Sequence, residues 1–142
     1  MATIKELIDP AFKEKTIWVK YLDDFEIEIR YLHRSQIQKI TERAKETTWD
    51  KKTHLPVEKL DRDKLYKDFI SQVIVNWRGL TGETLSKMLP VKVDDPKMII
   101  SFSEENAFEI LKDAYDFETF INQMVMDIEK FQTGNKEEEI KN

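Results

Sequence analysis

The chain has 142 residues, of which 40% are hydrophobic and 11% aromatic, enough apolar material for one packed core. Charged residues make up 36% with both signs interspersed, and a formal net charge of -5 argues against binding to a nucleic-acid backbone. The absence of cysteine excludes disulfides, thiolate zinc sites and cysteine nucleophiles. We therefore predict a single soluble domain that binds no nucleic acid.

The N-terminal residues give no sign of a targeting signal. Lys5, Glu6 and Asp9 interrupt the apolar positions of residues 1–12, so a continuous signal-peptide core is missing. Apolar runs elsewhere span only a few residues and are too short to cross a bilayer. We expect neither secretion nor a membrane segment, and the lack of cysteine fits a cytosolic protein.

Two short segments near the N-terminus are rich in β-branched and aromatic residues. They cover residues 16–22 and 25–32, and in the second segment apolar and polar side chains alternate as in a half-buried strand. Asp23 and Asp24 separate them, and Asp is favoured in tight turns because its side chain bonds to local backbone amides. The pattern predicts a β-hairpin over about residues 16–32.

The next segments are expected to be a helix and a loop. Ser35 is a candidate N-cap for a helix through about Lys45, which has only a narrow apolar stripe. Residues 46–59 show no clear periodicity and include Pro56, so we predict a surface loop. Trp49 is the large aromatic residue of this loop.

The strongest helical pattern spans about residues 61–78. Gly79 stands where a helix C-terminus needs a left-handed residue, and Leu80 is expected to fold back onto the last turn. The apolar side chains recur on one broad face, which predicts the central core helix. They are Leu65, Tyr66, Phe69, Ile70, Val73, Ile74 and Trp77.

One short helix and a connector are predicted after this point. Thr81 is expected to begin a short helix that ends before Pro90. Residues 91–96 are irregular, and residues 98–102 form either a strand or a buried extended connector.

The C-terminal part reads as two consecutive helices. Ser103, followed by two glutamates, predicts an N-cap, and Asp116 is expected to end that helix and cap the next. Gly134 is expected to end the last helix, and residues 135–142 are expected to be a flexible polar tail. The apolar face of the last helix consists of Phe117, Phe120, Ile121, Met124, Val125, Ile128 and Phe131.

These elements predict an α+β fold that is mainly α. The N-terminal β-hairpin, about residues 16–32, packs with a helical part of about five helices over about residues 35–131. One domain would span residues 1–134, followed by the tail.

The sequence shows no signature of catalysis or of a cofactor. His33 and His54 lack partners at metal-ligand spacing, and acidic pairs such as Asp23-Asp24 suit turns rather than a calcium loop. Three glycines cannot form a phosphate-binding loop, and no serine occupies a nucleophile elbow. We predict no catalytic residue, no metal and no cofactor.

Four residues are candidates for contact with another protein. Trp77 is expected to be buried, whereas Arg78 either bonds to helix-terminal carbonyls or contacts a partner, since Trp and Arg are enriched at binding hot spots. Met126 falls outside the apolar face of its helix. The candidates are Trp49, Arg78, Leu80 and Met126.

Four short sequence segments follow one another along the chain in a characteristic order. They are Val75-Asn76-Trp77-Arg78-Gly79-Leu80, Ile100-Ser101-Phe102-Ser103-Glu104-Glu105-Asn106-Ala107, Asp116-Phe117 and Asp127-Ile128-Glu129-Lys130-Phe131. From about Leu65 to Phe131 this set resembles the phage tail assembly chaperones, small proteins encoded by tailed phages and prophages.

The resemblance implies a non-catalytic chaperone. It would coat the aggregation-prone tape measure protein and bring it to the major tail protein, shielding apolar helices without nucleotide hydrolysis. It also implies a location in the cytoplasm of the bacterial host and absence from the mature virion. Self-association stays open, and some members have a second form, lengthened by ribosomal frameshifting.

Two alternatives remain at this stage. One is another morphogenesis component, such as a tail completion or head-tail connector protein, which would stay in the particle. The other is a small enzyme that uses carboxylates alone, which would need two acids converging in a cleft with perturbed pKa values.

Overall fold

The computed structural model describes residues 2–8, 15–127 and 131. Within them the fold is α+β, as predicted, with a three-stranded sheet, a separate two-stranded sheet and helices. The elements are α1 (Ile4–Leu7), β1 (Thr16–Lys20), β2 (Glu26–Arg30), α2 (Arg34–Ala44), β3 (Lys45–Trp49), β4 (Pro56–Leu60), α3 (Arg62–Val73), β5 (Ile74–Arg78), α4 (Gly82–Met88), α5 (Glu104–Asp113) and α6 (Tyr115–Val125).

The predicted N-terminal hairpin is present as β1 and β2. The strands are antiparallel, with Thr16 opposite Arg30 at one end and Lys20 opposite Glu26 at the other. Alternate residues of both strands are buried, which is the pattern that the alternation indicated. Asp23 has a φ of 51°, a left-handed turn conformation that Asp tolerates.

The helix predicted over residues 61–78 is wrong in its last turn and a half. α3 ends at Val73, and the chain continues directly into β5, which pairs antiparallel with β2. Val73, Ile74 and Val75 are β-branched and suit a strand as well as a buried helix face, so local periodicity alone does not decide. The open edge of β2 decides in favour of the strand.

The surface loop predicted over residues 46–59 is also wrong, since it is a second β-hairpin. β3 and β4 are antiparallel, with Lys45 opposite Leu60 and Trp49 opposite Pro56. Every residue in both strands is exposed, so the alternating burial that usually marks a strand is missing. We call this hairpin, residues 45–60, the arm.

Two of the predicted helix N-caps are confirmed and two are wrong. Thr81 and Ser103 are N-caps as expected, and their hydroxyls accept hydrogen bonds from backbone N–H groups three residues on. Ser35 is not the cap of α2; His33 is, and its backbone N–H donates to the Gln36 side chain at 2.9 Å. Nor does Asp116 separate the last two helices, because the break falls at Ala114.

Residues 98–102 form a connector with one antiparallel bridge, Ile99 opposite Thr81, rather than a strand of a sheet, and since Met98 and Ile99 are exposed the connector is not buried throughout as expected. Within the described residues α6 ends at Val125, so the helix predicted to run to Gly134 is interrupted at residues 126–127, and Phe131 is again helical. Ile128, Gly134 and the predicted tail, residues 135–142, lie outside the described residues.

The core lies between the three-stranded sheet and the helices. The sheet has the order β1-β2-β5, so β2 is its middle strand. Phe25 stacks on Phe117 of α6, with ring centroids 5.8 Å apart, and meets the edge of Trp77 at 5.7 Å. The indole Nε1–H of Trp77 donates to the Ile100 carbonyl at 2.9 Å, which attaches the connector to the sheet.

Gly79 is required for a different reason from the expected one. It follows a strand rather than a helix, so it is not the C-cap of a helix, although its φ of 75° is left-handed. A Cβ at this position would lie 2.0 Å from the carbonyl oxygen of Asp24 in the hairpin turn. The glycine therefore lets the end of β5 pass closely under that turn.

Replacing Gly79 by Ala should lower the free energy of unfolding by ~1–3 kcal/mol or more. The Ala residue would be strained by the left-handed φ, and its Cβ would overlap with the backbone carbonyl of Asp24. Urea denaturation measures the loss. Asp24→Ala removes an exposed side chain but keeps the carbonyl, so it should change stability by less than ~0.5 kcal/mol and should not rescue Gly79→Ala. A stable Gly79→Ala protein would contradict the close approach.

Candidate functional site

An apolar groove opens between three helices, α2, α3 and α6. Its volume is about 300 Å³, at the lower end of the range for small binding sites. Most of its wall is aliphatic or aromatic, and it is open to solvent along one side. The lining residues are Leu32, Ile37, Ile40, Thr41, Leu65, Tyr66, Phe69, Leu111, Glu118, Asn122, Val125 and Met126.

Helical spacing explains which side chains line the groove. α2 contributes Ile37 and Thr41, one turn apart, and α3 contributes Leu65 and Phe69 in the same way. Ile37, Leu65 and Phe69 are only half-buried although they pack against the core cluster. These helices therefore present apolar side chains that no other element of the described chain covers completely.

Met126 stands at the rim of the groove, just after the end of α6. Its side chain is 55% exposed, a large value for an apolar residue beside a core. Methionine is flexible and polarizable, and it suits surfaces that adapt to varied partners. Of the four contact candidates chosen from the sequence, Met126 is the one that lines this groove.

The polar contact in the groove joins α3 to α6. The Tyr66 hydroxyl donates to the Glu118 carboxylate, with distances of 3.1 and 3.3 Å to its two oxygens. Burial raises the pKa of Tyr66 above its usual value, and the nearby negative charge of Glu118 raises it further. The groove thus offers apolar surface with one phenol and one carboxylate, besides the hydroxyl of Thr41 and the amide of Asn122.

The arm begins where two walls of the groove end. α2 leads directly into β3, β4 leads into α3, and the Asp61 N–H donates to the Ala44 carbonyl at 2.9 Å across the base of the arm. Trp49 lies on β3 near the far end and is 70% exposed. The arm thus carries a second contact candidate on an element continuous with the groove helices.

The other two contact candidates lie elsewhere. Arg78 is on β5, where its guanidinium lies 3.2 Å from the Glu26 carboxylate and 4.1 Å from the ring centre of Trp18. It therefore crosses the outer face of the sheet and does not cap a helix. Leu80 is fully buried, so its side chain packs in the core instead of lying at the surface where a partner contact was expected.

A second, more polar cleft lies beside residues 76–83. Asp23 accepts hydrogen bonds there from the Lys87 ammonium at 2.9 Å and the Thr84 hydroxyl at 3.0 Å. The bond from Lys87, and then that from Thr84, holds the pKa of Asp23 below its usual range. Because these groups bond to one another, the cleft is best explained as a clasp between the hairpin turn and α4.

In residues 2–8, 15–127 and 131, no group of three or more His, Asp or Glu side chains is placed to hold a metal ion. None of the helices described is both long enough and apolar enough to cross a bilayer.

Sequence reasoning found the groove residues but not the groove. Ile37, Leu65, Phe69 and Val125 were all assigned to apolar helix faces, which is correct for the pattern. Periodicity shows that a face is apolar, not whether another element covers it. The partial exposure of Ile37, Leu65 and Phe69, beside a fully buried Val125, is a property of how three distant segments pack.

The fold is that of a small α+β protein with a largely apolar groove between its helices. A family model described as YdaY prophage protein matches residues 30–142. The match covers well over half of the sequence, so the chain belongs to the YdaY prophage protein family, and the groove lies inside the matched range. No curated protein and no solved structure matches the chain.

Replacing Tyr66 by Phe tests the polar contact. At neutral pH the variant should lose about 1 kcal/mol or less of unfolding free energy, the usual net value of one hydrogen bond. Folding raises the pKa of Tyr66. Its contribution to the free energy of unfolding is therefore complete below the unfolded-state pKa of about 10, and it is lost as the pH rises through the higher folded-state pKa.

The difference in unfolding free energy between wild type and Tyr66→Phe should therefore become smaller when urea denaturation is repeated from about pH 8 to pH 11. The pKa of Tyr21 is also raised, by burial and by Asp116, but Tyr21 is present in both proteins and cancels. Tyr115→Phe, at an exposed ring outside the groove, is the matched control. A difference that stays constant with pH would contradict the assignment.

Proposed function

We propose that this protein is a non-catalytic phage tail assembly chaperone that holds apolar helical segments of the tape measure protein in the groove between α2, α3 and α6. It would act in the cytoplasm of the bacterial host and deliver its partner to the major tail protein. Membership of a prophage family supports a phage-related function. The resemblance of residues 65–131 to tail assembly chaperones supplies the finer assignment.

The observation that carries the proposal is the uncovered apolar groove. A helix that docks in such a groove inserts side chains at positions i, i+3, i+4 and i+7. Ile37 and Phe69 on opposite walls, and Met126 at the rim, would contact those side chains. A long helical protein awaiting assembly exposes many segments of this kind, and covering them prevents aggregation.

The size of the groove fits reversible binding. Full burial of one aliphatic or aromatic side chain contributes about 1.5–3 kcal/mol, whereas association costs about 4–15 kcal/mol in lost freedom. A few contacts in a 300 Å³ groove therefore give weak binding at each segment. Several copies bound along one long partner would hold it collectively and still release it during tube assembly.

We assign Trp49 on the arm to the same binding surface. Trp is the residue type most enriched at binding hot spots, and at 70% exposure Trp49 has most of its surface available. The arm continues from the helices that form two groove walls, so a segment leaving the groove at that end would meet it.

Co-expression with the tape measure protein of the same prophage tests the function directly. The expected result is that the partner becomes soluble and co-purifies with this chain. If the partner is equally soluble alone and never co-purifies, the chaperone function is refuted. Mass spectrometry of purified virions separates the alternative, because a tail completion or connector protein would be present there and a chaperone absent.

Met126→Glu should weaken capture of the tape measure protein at least tenfold, because it places a carboxylate at an apolar contact and a tenfold loss needs only ~1.4 kcal/mol. Co-purification yield at matched expression, or titration with a purified fragment, measures the loss. Met98→Glu is the matched control, since Met98 is 47% exposed and lies outside the groove. Equal losses in both variants would argue against the groove.

A further inference from the structure

The N-terminal segment, residues 4–8, exposes three apolar side chains. Ile4, Leu7 and Ile8 are 80%, 71% and 53% exposed, and α1 buries none of its residues. Their spacing of i, i+3 and i+4 places them on one side of a helical turn. This is the arrangement with which a helix enters an apolar groove.

Local hydrogen bonds define where this helical turn begins. The Thr3 hydroxyl accepts from the Glu6 N–H at 3.3 Å, and the Glu6 carboxylate accepts from the Thr3 N–H at 3.4 Å. A single turn is nonetheless unstable in water, because the free-energy cost of nucleating a helix exceeds what the hydrogen bonds of four residues contribute. The segment has a defined helical start but needs a surface to fold against.

The attachment point of the segment lies close to the groove. Thr16, at the start of β1, pairs with Arg30, and Leu32 two residues later lines the groove. The Leu32 N–H also donates to the carbonyl of Val125, another lining residue, at 3.2 Å. Residues 9–14 join Ile8 to Lys15, and seven residue steps span at most about 25 Å, enough to reach the groove of the same chain.

The segment of residues 4–8 carries one cation and one anion, and its cation complements the carboxylate of the groove. Glu118 is the carboxylate among the lining residues, and it keeps acceptor capacity beyond its bonds to Tyr66. Lys5 lies between the apolar positions of α1, whereas Glu6 is engaged in the helix cap. A helix seated through Ile4, Leu7 and Ile8 would bring a cation to a groove that holds an anion.

We propose that the segment of residues 4–8 folds into the groove of its own chain and occupies it until an apolar partner helix displaces it. This inference rests on the proposed function, because the site that it regulates is the partner groove. A short tether gives an effective concentration in the millimolar range, so a contact with a Kd at or below that range covers the groove for about half of the time or more. The covered state would protect the apolar groove in the absence of a partner.

The test needs no tape measure protein. The probe is a synthetic peptide of residues 2–12, added to the full chain carrying Ile4→Asp and Leu7→Asp, with the side-chain methyl signals of Ile37 and Met126 followed by NMR. Peptide in the millimolar range should shift both signals, and wild-type protein should show them already near the shifted positions. The same peptide with both Asp substitutions is the matched control and should shift neither.

Three results would overturn the inference. If the peptide leaves the groove signals unmoved, or if it perturbs signals only at another surface, the contact within one chain is refuted. If the wild-type groove signals instead depend on protein concentration and sedimentation shows a dimer, a second copy supplies the segment. Peptide binding with no capture of the tape measure protein would refute the function alone, and capture without peptide binding would refute this inference alone.

Discussion

The antiparallel pairing of β2 with β5 is the interaction on which the rest of the structure depends. It makes β2 the middle strand of the sheet and places Trp77 opposite Ile27. From there the Trp77 ring reaches Phe25, Phe102 and the carbonyl of Ile100. One strand pairing thus links the N-terminal hairpin, α3 and the connector of residues 98–102 in one core.

The same pairing determines the position of the groove. Because β5 follows α3 without a loop, the strand fixes where that helix ends and hence where Phe69 lies. Leu32, just after β2, bonds through its N–H to the carbonyl of Val125 and so fixes the end of α6 against the sheet. Two of the three groove helices are therefore held by elements attached to β2, and α2 follows from the same strand.

Features with local causes could be predicted from the sequence. The N-terminal hairpin follows from its alternation and from Asp23, and the starts of α4 and α5 follow from Thr81 and Ser103, whose hydroxyls satisfy free N–H groups within one turn. Each signal lies within a few residues of its effect. Long-range packing is not needed to interpret them.

Features that depend on contacts between distant segments could not be predicted from the sequence. Residues 74–78 fit a helix face or a strand equally, and only the free edge of β2, more than forty residues earlier, selects the strand. The arm could not be predicted because both of its faces are exposed to solvent. Residues such as Thr47 and Glu58 therefore do not form part of an alternation between apolar and polar side chains. Leu80 was expected to fold back onto a helix end and to contact a partner, but a strand ends there instead of a helix, and the Leu80 side chain is fully buried in the core.

The groove has the same origin as these errors, because it exists only where α2, α3 and α6 meet. An uncovered apolar groove contributes less to stability than a filled core would, and it exposes the chain to aggregation. A protein selected for stability alone would fill that space with larger side chains or a further helix. Ile37, Leu65 and Phe69 are nevertheless only partly buried beside Met126, and the proposed occupancy of the groove would account for that.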